Sequence, residues 1–191
     1  MDPVAALRAG EPVLLPTDTV YGLCSAPGEA AVRRLYALKG RAVRQPTALL
    51  AATVESLLEH VPELEEGVVR AVLPGAYTLV LPNPARRYPW LAGERPDTIG
   101  VRVPDLPAVV QAVVDAVGAV AATSANDPGE PPAASLDEVP LRIRAACAAE
   151  LDAGRRLPGT ASTVIDLTGQ EPVVLREGAA PSADAIARLR R

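Results

Sequence analysis

The chain has 191 residues, 49% of them hydrophobic and drawn mainly from Ala, Val and Leu, which is enough for one domain with an aliphatic core. A formal net charge of −4 gives no general pull toward nucleic acid or an anionic membrane. Cys24 and Cys147 are too few for a disulfide framework or a zinc site, and no apolar run reaches the ~18 residues of a membrane span, so a soluble cytoplasmic protein is expected.

Short β-branched or Leu/Ala-rich runs alternate with stretches of helical period. Residues 13–15 read as the first strand, followed by the polar run Pro16-Thr17-Asp18-Thr19-Val20-Tyr21-Gly22. Residues 31–38 place Val32, Leu35 and Leu38 on one helical face and lead into a second polar loop, 39–45. A strand at 48–51 precedes a helix at 53–58 with Thr53 as N-cap, and a helix at 67–73 stops at Pro74-Gly75. Strands follow at 78–81 and 99–103. In the second of these, alternation sets Ile99, Val101 and Val103 on one face and Gly100 with Arg102 on the other, where Arg102 meets either water or a ligand.

A valine-rich helix at 106–117 ends at Gly118, and a strand at 119–122 runs into Thr123-Ser124-Ala125-Asn126. A helix at 136–149, strands at 163–166 and 173–175, and a helix at 182–189 after Pro181 complete the series. Strands interleaved with helices predict an α/β fold, a single domain over residues 1–191, with its working residues on loops at strand ends.

One lysine, Lys39, stands against eighteen arginines. A mobile ammonium is not replaceable by a planar guanidinium, so a chain that keeps lysine at one place points to a need for it there. Other chemistries lack their parts. The single histidine, His60, sits at a predicted helix end and reads as solvent-facing, which removes Ser-His-Asp catalysis and histidine metal sites. Neither a phosphate-binding Gly-x-x-x-x-Gly-Lys loop nor a dinucleotide fingerprint occurs. Cys24 has no activating neighbours and reads as a buried thiol. What remains is a set of cations, Lys39, Arg41, Arg102 and Arg176, with Thr17, Thr19, Thr98, Ser124, Asn126 and Ser162 around them. Fixed cations with hydroxyl and amide donors suit an anion such as a polyphosphate or a carboxylate.

In order along the chain, Pro16-Thr-Asp-Thr-Val-Tyr-Gly-Leu23, Lys39-Gly-Arg41, Pro74-Gly-Ala-Tyr-Thr-Leu79, Val101-Arg-Val-Pro104, Thr123-Ser-Ala-Asn126 and Ser162-Thr-Val-Ile-Asp166 with Leu175-Arg-Glu-Gly178 resemble the threonylcarbamoyl-AMP synthase family of YrdC/TsaC type. The resemblance spans about residues 10–180 and implies a twisted mixed sheet flanked by helices, a YrdC-like fold with a concave active face. It implies a nucleotidyltransferase that makes threonylcarbamoyl-AMP and pyrophosphate from L-threonine, bicarbonate or CO2, and ATP. The product would pass to a downstream transferase for threonylcarbamoyl modification of a tRNA adenosine, with tRNA binding weak or indirect.

By matching position, Lys39, Arg41, Gln45, Thr98, Ser124, Asn126 and Arg176 would hold ATP, with Lys39 and Arg41 catalytic. Thr17, Thr19, Arg102, Ser162 and the backbone near Ala122 would hold threonine, Arg102 on its carboxylate. Mg²⁺ is expected mainly on the ATP phosphates, with no protein metal site.

The chain departs from the family pattern in places. Ala42 follows Arg41 where proline is common, and Leu50 lies near a position where some members carry histidine. Pro128-Gly129 replaces a Ser-Gly, and Pro132 falls where a serine approaches the ligand. Two rival readings are a non-catalytic RNA-binding module of the same fold and a related carbamoyl-transfer enzyme. Acidic net charge and few aromatics for base stacking oppose the first.

Overall fold

The computed structural model describes residues 1–40 and 45–191. Nine strands of these residues form one mixed sheet, in the order β7-β1-β2-β6-β3-β5-β4-β8-β9. They are β1 (Val13–Pro16), β2 (Tyr21–Ser25), β3 (Ala48–Ala51), β4 (Tyr77–Pro82), β5 (Thr98–Arg102), β6 (Ala119–Ser124), β7 (Ala149–Glu150), β8 (Thr163–Asp166) and β9 (Val173–Arg176). The pairs β3/β5, β4/β8 and β1/β7 are parallel and the others antiparallel. This is the mixed, helix-flanked sheet that the family resemblance implies.

The two faces of the sheet are covered unequally. Alternation turns Leu23, Leu49, Leu79, Val101, Ala121 and Ile165 to one face. There they pack under α2 (Glu29–Lys39), α3 (Val54–His60), α4 (Glu66–Val72) and α7 (Ser182–Leu189), through Val32, Leu35, Leu57, Val69 and Ala185. On the other face, Val13, Leu15, Cys24, Leu50 and Val120 lie under α1 (Pro3–Arg8) and α5 (Ala108–Val117). No residue of β5, β4, β8 or β9 joins that second cluster, so beyond β3 none of the described helices lies over this face.

Local signals explain several boundaries. The Thr53 hydroxyl caps α3 by accepting from the Ser56 N–H at 3.0 Å. Gly40, at φ +63°, ends α2 with Lys39 in its last turn. Other expectations need correction. The helix predicted at 136–149 is broken: a 3-10 turn covers Leu136–Glu138, and α6 (Leu141–Ala146) starts after Pro140, whose ring nitrogen has no proton to give to a continuing helix. Strand β7 takes the end of that stretch. The run predicted as loop after the first strand turns into β2 at Tyr21, every residue of which is buried. Helix α1, capped by Asp2, carries too few residues for periodicity to show. Among the described residues no helix is long and apolar enough to cross a membrane.

Candidate active site

A cavity of about 570 Å³ opens over the uncovered part of the second face. Its floor is made of small residues on adjacent strands: Gly22 of β2, Ala122 of β6, Ala48 of β3 and Gly100 of β5. Ala122 stands opposite both Cys24 and Ala48 in the sheet register. A side chain built on Gly100 would find nothing nearer than Thr78 Cγ2 at 3.8 Å and the Ala48 Cα at 3.9 Å, so glycine there leaves space above the sheet.

One wall is organised by Lys39. The last turn of α2 sends its side chain to the end of β6, where Nζ donates to Ser124 Oγ at 3.1 Å, to Asn126 Oδ1 at 3.0 Å and to the Ser124 carbonyl. These acceptors allow an ammonium to be only 5% exposed. Asn126 is itself oriented, its amide donating to the carbonyls of Asp127 at 3.1 Å and Glu130 at 2.5 Å. The lone lysine and the Thr-Ser-Ala-Asn segment therefore meet across 85 residues of chain.

The opposite wall is built on β8 and β9. Arg176 donates from Nε and Nη2 to the Ser162 carbonyl at 3.1 and 2.8 Å, and Ser162 Oγ lies 2.8 Å from Thr78 Oγ1. Burial, and the nearby Arg102 charge after it, make Arg176 hold its proton less tightly than an arginine in water. Close packing underlies this corner: a methyl on Gly178 would come within 2.5 Å of the Ser162 carbonyl carbon. Thr98 is tied by its hydroxyl to the Arg95 carbonyl at 2.9 Å, and Arg95 pairs with Asp166 at 2.6 Å.

Arg102 stands between the helix-covered and open parts of the face. It is 9% exposed, which excludes the water-facing alternative. Its Nη2 donates to Asp18 Oδ1 at 2.8 Å and approaches Thr19 Oγ1 at 3.4 Å. Burial pushes the Asp18 carboxyl above its ordinary value, and the Arg102 charge pulls it partly back.

Of the residues predicted for the nucleotide, Lys39, Gln45, Thr98, Ser124, Asn126 and Arg176 all line this cavity, while Arg41 lies outside the described residues. Thr17, Arg102, Ala122 and Ser162, predicted for threonine, line it too. Thr19 stands one layer back, fully buried, 3.1 Å from the Thr17 hydroxyl. Asp18, Thr78 and Arg95 were missed. The signal for Thr78 was a lone hydroxyl opening an apolar strand; Arg95 carried none, because a loop arginine looks like surface.

His60 is half-buried rather than solvent-facing, its Nδ1 2.9 Å from the Tyr88 hydroxyl, and it lies away from the cavity. Cys24 is buried as expected, its thiol pushed up to about 12 by desolvation. Among the described residues no group of three or more His, Cys, Asp or Glu gathers to hold a metal. A second hollow, of about 620 Å³, holds none of the predicted residues, and its Arg70 is tied to Glu55 at 2.8 Å.

The Sua5/YciO/YrdC family model, described as telomere recombination, matches residues 5–178. A Mycobacterium tuberculosis relative is 36% identical over 179 residues, covering 92% of this chain and 82% of its own. A threonylcarbamoyl-AMP synthase of Stenotrophomonas maltophilia is 38% identical over 146 residues, 73% of this chain and 78% of that protein. Among solved structures, P. abyssi Sua5 complexed with L-threonine matches with a TM-score of 0.87 at 32% identity, over 97% of this chain. This chain spans 56% of that longer protein. A family match over most of the chain, on a sheet whose open face collects the residues of six ordered motifs, leads to one conclusion: the chain belongs to the Sua5/YciO/YrdC family.

Proposed function

We propose that this chain joins L-threonine, bicarbonate or CO2, and ATP into threonylcarbamoyl-AMP, releasing pyrophosphate. The observation that carries the reading is one cavity with two cationic walls, Lys39 on one side and Arg102 with Arg176 on the other, over a floor of small residues. Its volume of about 570 Å³ suits small-molecule substrates. Family membership and the named synthase relative support the same chemistry.

In this reading the threonine carboxylate meets Arg102, with Thr17, Ser162 and the backbone at Ala122 around the amino acid. Lys39, Arg41, Gln45, Thr98, Ser124, Asn126 and Arg176 hold ATP. The amine gives up a proton, its lone pair attacks the carbon of CO2, and loss of a second proton leaves a carbamate. A carbamate oxygen then forms a bond to the α-phosphorus as the bond to the pyrophosphate oxygen breaks. No side-chain nucleophile is needed. The protein supplies position, and cations where negative charge grows.

Among the described residues Asp127 is the one carboxylate in the wall and pairs with Arg142, so these residues form no cage for a divalent ion. The nucleotide would enter with Mg²⁺ on its phosphate oxygens, where the ion offsets phosphate charge. The product would feed tRNA threonylcarbamoylation by a separate transferase.

The test is incubation with ATP, Mg²⁺, threonine and labelled bicarbonate, with the product identified by mass. The labelled adduct should appear and vanish when any one substrate is omitted; a complete mixture without adduct refutes the reading. In the same assay Lys39→Arg should lose about tenfold to a hundredfold, as one charge-assisted contact implies, while remaining folded.

A further inference from the structure

Between β1 and β2 the chain makes a tight, internally bonded turn. The Thr17 hydroxyl donates to the Val20 carbonyl at 2.7 Å and accepts from the N–H groups of Thr19 at 3.3 Å and Val20 at 3.2 Å. This fixes the backbone on either side of Asp18 and aims its carboxylate at Arg102, with both side chains 11% exposed. The two residues are 84 positions apart, so the contact is made by the fold and not by local sequence.

As a stabilising device the pair is poorly built. Asp18 Oδ2 and Arg102 Nε are both buried with no hydrogen-bond partner among the described residues. An ion pair taken out of water repays its desolvation only when the remaining donors and acceptors are satisfied, and replacing it by apolar residues is often neutral or stabilising. A third charge, Arg176, weighs against the Arg102 cation, and Asp18 supplies the opposite charge beside it. One edge of that guanidinium is engaged by Asp18 and Thr19, while the residue still forms part of the cavity wall. Such an arrangement gives up stability and fixes a donor in place before any ligand arrives.

We propose that Asp18 is a positioning residue for substrate: it holds the Arg102 guanidinium, by one edge and from outside the cavity wall, in the orientation that receives the carboxylate of the amino-acid substrate. The proposal rests on the reading that threonine binds with its carboxylate on Arg102. Asp18 does not touch the substrate. Its effect belongs to recognition of the amino acid, because Asp18 bonds to Arg102 and, among the described residues, to none of those assigned to the nucleotide. A structural role alone would act differently, lowering thermal stability and degrading the constants for both substrates together.

The experiment measures KM for threonine and for ATP separately in the labelled-bicarbonate assay, for wild type, Asp18→Ala and Asp18→Asn, with melting temperatures alongside. Asp18→Ala should raise KM for threonine about tenfold and leave KM for ATP within about twofold. Asp18→Asn keeps an acceptor oxygen of the same shape and should recover most of that loss. It also carries the test if the alanine variant does not fold, then showing a rise of about threefold for threonine alone. An unchanged KM for threonine, or equal rises for both substrates, overturns the proposal while leaving the synthase reading intact. Wild-type protein that forms no adduct overturns both.

Discussion

Arg102 has one carboxylate and one hydroxyl to replace the water that its guanidinium loses on burial, and that shortage makes Asp18 dependent on it. Burial alone raises the Asp18 carboxyl above its ordinary 3.8, and Arg102 is the largest influence pulling it down. Replacing Arg102 with Met therefore lifts Asp18 further. A carboxyl whose value is raised in the folded state costs no stability below the ordinary value, where both states are protonated. The cost grows as pH climbs from the ordinary value to the raised one and is constant above it. The stability deficit of Arg102→Met should thus be largest near neutrality, about 3–5 kcal/mol, and should shrink toward about pH 4, close to the ordinary carboxyl value. Urea midpoints for both proteins at the two pH values check this, and a deficit independent of pH contradicts it. Strand alternation in the sequence gave Arg102 its face. It could not give the burial, which depends on whether a distant helix covers that face. Lys39 was easier to find, because a count of one against eighteen is visible without any structure.

At the scale of elements, the floor strands carry small residues where an ordinary buried sheet would carry Val or Ile. Gly100 is the informative position. Its backbone is that of an extended strand, and the Thr78 and Ala48 atoms around an added Cβ lie at ordinary contact distance. Gly100→Val should fold well, since a β-branched residue suits a strand better than glycine. Its outer methyl groups would stand in the cavity. Adduct formation should fall by at least about tenfold with the melting temperature held or raised, as overpacking of a ligand space rather than of the core predicts. Loss of both activity and folding would mean that the space above Gly100 is core. Most strands and helices were legible from period and punctuation, including the Thr53 cap and the Pro74 stop. Two elements, β7 and α1, are two and six residues long, too short for periodicity to register, whereas β2 (Tyr21–Ser25) has a glycine and no β-branched residue to mark it as a strand. The error at 136–149 was different, since Pro140 was in plain view and its missing donor should have divided the helix.

Across the whole molecule, the covering of the sheet decides where function can sit. One face is sealed by α2, α3, α4 and α7, whereas α1 and α5 cover only part of the strands up to β3 and leave to the cavity one end of β2, β6 and β3 and the strands beyond. Sequence order alone could not show this, because α1 lies at one end of the chain and α5 past its middle, yet the two pack on each other over one patch. The uncovered area is where Lys39, Arg102 and Arg176 come together, and with Arg95 they make four cations among the described residues lining one space. Their mutual repulsion is a cost that anionic substrates remove, so ligands should stabilise the folded chain beyond what contact area alone suggests. A ligand that binds only the native state adds RT ln(1 + [L]/Kd), about 2.7 kcal/mol at a hundred times Kd, or roughly 5–10 °C for a chain of this size. ATP with Mg²⁺ should raise the melting temperature by an amount of this order. Threonine added with it should give a further rise if, as proposed, its carboxylate meets Arg102 in the same cavity. Thermal melts with each ligand, with both, and with sodium chloride at matched ionic strength separate the cases. If salt reproduces the rise, the cations respond to charge screening and bind no specific anion; if threonine adds nothing to ATP, the two ligands do not share this space.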